Sequence, residues 1–301
     1  MPVIGEPEVR RLRKRPLDIA PYKLRRAAES DYVELVKGST VVYDEELGQV
    51  TVVYLELDDE FPGVTEALLS VPFSARSRTG GMVSTSATIG FAPRNTIRRD
   101  YCNAAALSRS HPEAHSRIAS LAETVARYYE QYHPELYADH QRQVEKVLLN
   151  WRLENSVFTS GIINKNNPLL YHHDAGNFKN VWSNMLAFKS KVGGGYLSVP
   201  EYNLGFQIRD RSLLMFDGQN LLHGVTPIQL LAPDAYRYTI VFFSLRGMWQ
   251  CMTPDEEMQR YRKVRTEREF RRAEAPVAEN PKTYADLRAL RAKERAARRG
   301  T

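Results

Sequence analysis

Apolar and polar positions alternate with period two over YVELV, TVVYDE and QVTVVYLEL, between residues 31 and 60. This predicts strands, with DEELGQ turning the last two into a hairpin that adds to an outer sheet. Further along, SNMLAFK, GYLSVP, LGFQIR and SLLMF are short apolar runs separated by turn residues, the pattern of a small antiparallel barrel. YRYTIVFFS, dense in aromatic and β-branched residues, reads as a buried strand. The period changes between His115 and Tyr132, where Ile118, Leu121, Ala122, Val125 and Tyr129 recur at helical spacing. A second helix follows His133-Pro134, with Leu136, His140, Val144, Val147 and Leu148 on one face. Such helices would buttress the barrel. His111, His115, His133 and His140 lie outside any ligand spacing and read as surface or helix-packing residues.

The two ends have a different texture. Residues 1–30, with RRLRKR and KLRR, are basic and punctuated by proline, which predicts a mobile arm rather than a packed element. Two charged helical stretches, 254–274 and 282–299, flank the linker APVAENP and hold few apolar positions, so an appendage that does not pack tightly is expected. The chain thus divides into an arm (1–30), a core domain (31–253) with a helical buttress (115–151), and an appendage (254–301). Of the net charge of +6, residues 1–26 carry 8 Lys/Arg against 3 Asp/Glu and residues 255–301 carry 14 against 9, which leaves the region between them at −4. Basic extremities around an acidic centre suit a polyanionic partner held through its phosphates, with solvated charged helices as the competing reading. The stretch 73–109 is rich in Gly, Ser, Thr and Arg, and its Arg94, Arg98 and Arg99 are candidate substrate contacts, against a competing reading as surface ion pairs with Asp100 and other acids. Cys102 and Cys251 are the only cysteines, so no disulfide framework and a reducing interior are expected. The N-terminus lacks the apolar core of a signal peptide and no apolar run approaches the ~18 residues of a spanning helix, which predicts a soluble intracellular protein without a membrane partner.

Candidate chemistry concentrates between Tyr171 and Ser244. In YHHDAGN, His172 and Asp174 are two apart and share a face if extended, and His223 follows in LLHGVTP. Two imidazoles and one carboxylate with open positions form the facial triad of non-haem Fe(II) oxygenases. His173, between two ligands, faces away from the metal and is a candidate substrate contact. Arg237 lies within the predicted buried strand, where a guanidinium needs a partner. Its fork matches the distal carboxylate of 2-oxoglutarate; a core Asp or Glu is the alternative partner. Tyr171 and Trp182 offer rings on which a base could stack, against the commoner role of core aromatics.

From about Gly80 to Ser244 the chain resembles the TET/JBP family of Fe(II)- and 2-oxoglutarate-dependent oxygenases, which oxidise the methyl group of 5-methylcytosine or thymine in DNA. The pieces that carry the likeness are GMVSTSATIGFAPR, RRDYCNAAAL, FTSGIINKNN, YHHDAGN, GGGYLSVPEY, FDGQNLLHGVTPI and YRYTIVFFS. The resemblance implies a double-stranded β-helix, or jelly roll, with flanking helices, and iron held by His172, Asp174 and His223. It places Asn177 and Arg237 against 2-oxoglutarate; Thr239, two residues beyond Arg237, is grouped with them as a cofactor contact. Asn164, in FTSGIINKNN, joins Tyr171, His173 and the arginines as a candidate substrate contact. No cysteine clusters like those of the large animal members are present, so the likeness is to compact bacterial and phage-type members. The expected substrate is a flipped-out 5-methylcytosine, at a few kcal/mol of unstacking. The alternatives are thymine in DNA, a protein or small molecule, and a barrel that binds DNA without catalysis.

Overall fold

The computed structural model describes residues 2–77, 83–95, 100–274 and 284–297. Its framework is two sheets packed face to face. In spatial order the larger, ten-stranded sheet contains Glu8–Leu12, Thr40–Asp44, Gln49–Glu56, Ser212–Phe216, Ser183–Ser190, Tyr236–Phe243, Ser160–Lys165, Val83–Ala92 and Ser74–Ser77, with Asn103–Ala104 paired beside Val83–Ala92. The smaller sheet orders Gly224–Val225, Leu197–Val199, Leu204–Phe206 and Glu34–Val36. Most pairings are antiparallel, and the whole is the double-stranded β-helix with flanking helices expected above.

Alternation along each central strand sorts side chains into two cores. Val52 and Tyr54 meet Val36, Leu197, Val199, Leu204 and Phe206 between the sheets. Val53 and Leu55 point the other way, into a cluster with Ile118, Leu121, Val125 and Tyr129 of helices Pro112–Ala119 and Leu121–Tyr132. The central strands are therefore apolar on both faces, which explains why YRYTIVFFS reads as one continuous run. Within it, Tyr238, Ile240 and Phe242 bury against the helices while Arg237, Thr239, Val241 and Phe243 point inside the barrel. Full burial of each large apolar side chain contributes about 1.5–3 kcal/mol.

Four features differ from expectation. The helix expected from His115 to Tyr132 is two, broken at Ser120. The basic arm is packed: Glu8–Leu12 pairs in parallel with Thr40–Asp44, and Arg15 donates its backbone N–H to the Glu201 carbonyl at 3.0 Å. An exposed sheet edge offers a row of unpaired backbone groups, and pairing them outweighs the mobility implied by composition. The tail is also anchored. Glu257, 1% exposed near the start of helix Pro254–Glu274, takes the Arg94 Nε–H at 3.0 Å and the backbone N–H groups of Cys102 at 3.0 Å and Met252 at 2.9 Å. Arg260 donates to the Asp100 carbonyl at 2.7 Å, and Arg268 pairs with the Asp100 carboxylate. The cysteines expected as free thiols are bonded, Cys102 to Cys251, across 149 residues of chain. Among the described residues no helix is long and apolar enough to cross a membrane.

Glu257 is the centre of this dock. Burial disfavours its charge, but the bonds from Arg94, Met252 and Cys102 outweigh it and hold the carboxyl below its ordinary value. Such a group adds stability above its unfolded pKa, near 4.5, that is lost as pH falls through the folded value. Glu257→Gln should cost about 2 kcal/mol at pH 7, less than the ~3–5 of a fully buried pair because Arg94 keeps some exposure. Urea melts of the two chains, disulfide intact, should differ at pH 7 and begin to converge only as pH falls from 4.5 through the lower folded value; coincident melts at pH 7 would remove Glu257 from this role.

Candidate metal centre and cavity

At the mouth of the barrel two chain segments meet through their backbones. His172 N–H donates to the His223 carbonyl at 3.0 Å and His223 N–H donates back to the His172 carbonyl at 3.1 Å. The imidazoles are thereby held with ring centroids 4.3 Å apart. Two residues on, Asp174 is anchored by its N–H to the Gly218 carbonyl at 2.7 Å, and its Oδ1 lies 3.8 Å from His172 Nε2 and 4.0 Å from His223 Nε2. One donor atom from each residue falls within 4.8 Å of the others. His173 is exposed, on the opposite side, as the two-residue period requires.

The surroundings prepare each donor. His172 Nδ1–H donates to the Leu170 carbonyl at 2.8 Å and His223 Nδ1–H to the Leu221 carbonyl at 3.0 Å, a tautomer assigned from the acceptors, so each Nε2 presents a lone pair. Burial, and then the neighbouring His172, push the His223 pKa down to about 4, which keeps it neutral at pH 7. Ser183 Oγ–H donates to Asp174 Oδ2 at 2.5 Å, leaving Oδ1 directed at the imidazoles. A Cβ at Gly218 would stand 2.4 Å from Asp174 Oδ2, so glycine is required beside this carboxylate.

Behind the three side chains lies a cavity of about 280 Å³. Its walls include Ile162, Leu197, Val225 and Val241, and Asn164, Asn167, Asn177, Arg237 and Thr239 supply polar groups. Arg237 is 1% exposed, donates through Nη2 to the Gly195 carbonyl at 3.1 Å and leaves Nε without a partner. Among the described residues no carboxylate pairs with it, so the core ion pair weighed above is absent. Burial lowers its pKa to about 10, leaving the guanidinium charged at pH 7. An unpaired buried cation facing a cavity calls for an anionic ligand. Two imidazoles and a carboxylate beside open space fit Fe(II), and the arginine fits a dicarboxylate that reaches back from the metal.

Of the residues expected at the site, His172, Asp174, His223, Asn164, Asn177, Arg237 and Thr239 all line this cavity. Tyr171 does not stack there: it is buried behind the metal ligands with its hydroxyl at Asp31 and Ser198. Arg94 is drawn away to Glu257, because a buried carboxylate holds a guanidinium more firmly than solvent does. Arg98 and Arg99 lie outside the described residues. Asn167 was passed over in the sequence; it is buried, lines the cavity and leaves Nδ2 unpartnered, and its only signal was a place in FTSGIINKNN.

Comparison with known proteins bears on this geometry. The family model Tet_JBP, the oxygenase domain of the 2OGFeDO superfamily, matches residues 89–246, a little over half of the chain. The structure of NgTET1 in complex with 5mC DNA is similar over 86% of this chain and 91% of that one, with 15% sequence identity and a TM-score of 0.56. A 2OG-Fe(II) oxygenase family oxidoreductase from Burkholderia pseudomallei aligns over 80% and 100% of the two chains at 12% identity, with a TM-score of 0.42 too low to bear on function. No curated protein matches the chain. The family implies Fe(II) and 2-oxoglutarate as cofactors. Gly218→Ala should then displace the Asp174 carboxylate and weaken metal binding by about 10- to 100-fold, as losses beside metal ligands do. Titration with Co(II), followed by its absorption, measures this; unchanged affinity would show that the carboxylate tolerates the methyl group.

Proposed function

The chain belongs to the Tet_JBP family of oxygenases, and on that premise we propose that it oxidises the methyl group of 5-methylcytosine in DNA, with Fe(II) and 2-oxoglutarate as cofactors. The observation that carries the reading is Arg237, a buried cation without an anion, in the same cavity as the His172, Asp174 and His223 donors. In this reading His172, Asp174 and His223 would hold the iron, a donor set that suits an oxygen-activating centre. Arg237, with Thr239 beside it on the strand, receives the distal carboxylate of 2-oxoglutarate, and Asn177 contacts the same molecule. The loaded centre supplies oxidation of a C–H bond coupled to decarboxylation of the co-substrate. The protein contributes orientation and dryness: the Nδ1–H bonds fix the imidazole planes, Ser183 fixes the carboxylate, and the apolar walls exclude water.

DNA as the substrate is supported by the fold shared with NgTET1, solved with 5mC DNA, and by the net charge of +6. A base stacked in a duplex cannot enter a cavity inside a barrel, so the target nucleotide is flipped out, at a few kcal/mol of unstacking. Mass spectrometry of nucleosides after incubation of methylated and unmethylated DNA with enzyme, Fe(II) and 2-oxoglutarate tests the proposal. 5-Hydroxymethylcytosine is the expected product. 5-Hydroxymethyluracil would instead identify thymine as the target, and succinate release with unmodified DNA would point to a protein or small molecule.

Three substitutions test the roles within the site. Asp174→Ala and His223→Ala should each abolish turnover with the fold intact, since each removes one of three protein ligands; substantial activity at saturating iron would reject the triad. Arg237→Ala should raise the 2-oxoglutarate concentration for half-maximal rate by about 10- to 100-fold, the worth of a hydrogen bond to a charged group. An unchanged co-substrate titration would remove Arg237 from that role.

A further inference from the structure

The amino-terminal arm reaches the metal centre from behind. Arg26 and Leu170 form an isolated antiparallel bridge, and Tyr171 N–H donates to the Arg25 carbonyl at 2.9 Å. Leu170 supplies the carbonyl that accepts the Nδ1–H of His172, so the arm holds the peptide that orients this imidazole. The contact continues through side chains. Tyr171 hydroxyl donates to Asp31 Oδ2 at 3.0 Å and lies 2.9 Å from Ser198 Oγ. Asp31 also takes Arg25 Nη2–H at 2.8 Å and the Ala28 N–H at 2.8 Å, while the Arg25 guanidinium lies over the rings of Tyr22 and Tyr171.

The far face of the Tyr171 ring reaches the second histidine. A Cβ at Gly224 would come within 2.8 Å of the ring, and Leu222 packs in the same cluster with Ala27 and Tyr171. Leu222 and Gly224 are the chain neighbours of His223. Tyr171, itself the neighbour of His172, thus sets its ring against the neighbours of His223 and is held from outside by an ion pair of the arm. The half-buried Arg25 is committed to Asp31 and the two rings, which removes it from the pool of free cations.

We propose that Asp31, through Arg25 and Tyr171, is a positioning residue for the metal centre, and that residues 22–31 are a clasp that sets the spacing of His172 and His223. The inference rests on the reading of these histidines as metal ligands, and it assigns the arm a purpose other than phosphate contact. Groups outside the ligand set that orient metal-binding side chains are typically worth 10- to 100-fold in affinity. Tyr171→Phe removes one oxygen and keeps the ring; Asp31→Asn removes the charge and keeps the size.

Both variants should bind Co(II) about 10-fold more weakly than the parent by absorption titration, with melting temperatures of the metal-free chains little changed. Excess Fe(II) should restore the turnover of each, and the 2-oxoglutarate requirement should stay put. Should Asp31→Asn fail to fold, Tyr171→Phe alone carries the test. Parent-like metal affinity in a folded Tyr171→Phe chain overturns the clasp while leaving the metal site standing. A parent chain that takes up no Co(II) sinks the metal site and the clasp together.

Discussion

Two backbone hydrogen bonds between His172 and His223 are the constraint on which the rest of the site depends. They join segments 51 residues apart in the chain and set the two histidine backbones side by side, the frame within which the imidazoles are then placed. Everything else adjusts donors to that frame: the Nδ1–H bonds turn the rings, Gly218 admits the Asp174 carboxylate, and Ser183 holds its second oxygen. Ligands carried on paired backbone are held more closely than ligands on free loops, which suits a centre that must keep part of its coordination open.

The same framework accounts for Arg237. Its strand lies between Ser183–Ser190 and Ser160–Lys165, with neighbours on both edges and cores on both faces, so the side chain has no route to solvent. A cation there costs several kcal/mol unless an anion meets it. The barrel supplies one carbonyl, from Gly195, and leaves Nε open, and among the described residues no carboxylate meets the charge, which is the basis for proposing an anionic ligand there.

Local pattern made much of this legible. Period-two alternation identified the central strands, and the HxD spacing with a distant histidine identified the donor set, because both are properties of a few adjacent residues. What remained hidden depends on partners far apart in sequence. The Cys102–Cys251 bond spans 149 residues, Glu257 draws Arg94 across 163, and Tyr171 finds Asp31 across 140. Composition marked both ends as loose, yet an edge strand fixes the start of the chain and a single buried carboxylate docks the start of helix Pro254–Glu274. Asn167 was missed for a related reason: a lone asparagine in a loop has no period, and only an unpartnered amide in a cavity sets it apart.

The packed ends also change how the chain's positive charge can act. In the arm, Arg10 is engaged by Glu8 and Glu34, Arg13 by Glu45, and Arg25 by Asp31, while Lys14 and Arg15 donate to carbonyls. Among the described residues, exposed Lys23 and Arg26 have no acidic partner, and they sit on either side of Arg25 in the segment that pairs with Leu170 and Tyr171. Exposed ion pairs are worth only about 0–1 kcal/mol, so a phosphate can displace a surface carboxylate at little cost. The arm's backbone, by contrast, is tied into the sheet and behind the metal ligands. A polyanion that met the arm would therefore find cations carried on a fixed backbone, with Lys23 and Arg26 free of acidic partners and the more exposed pairs able to exchange.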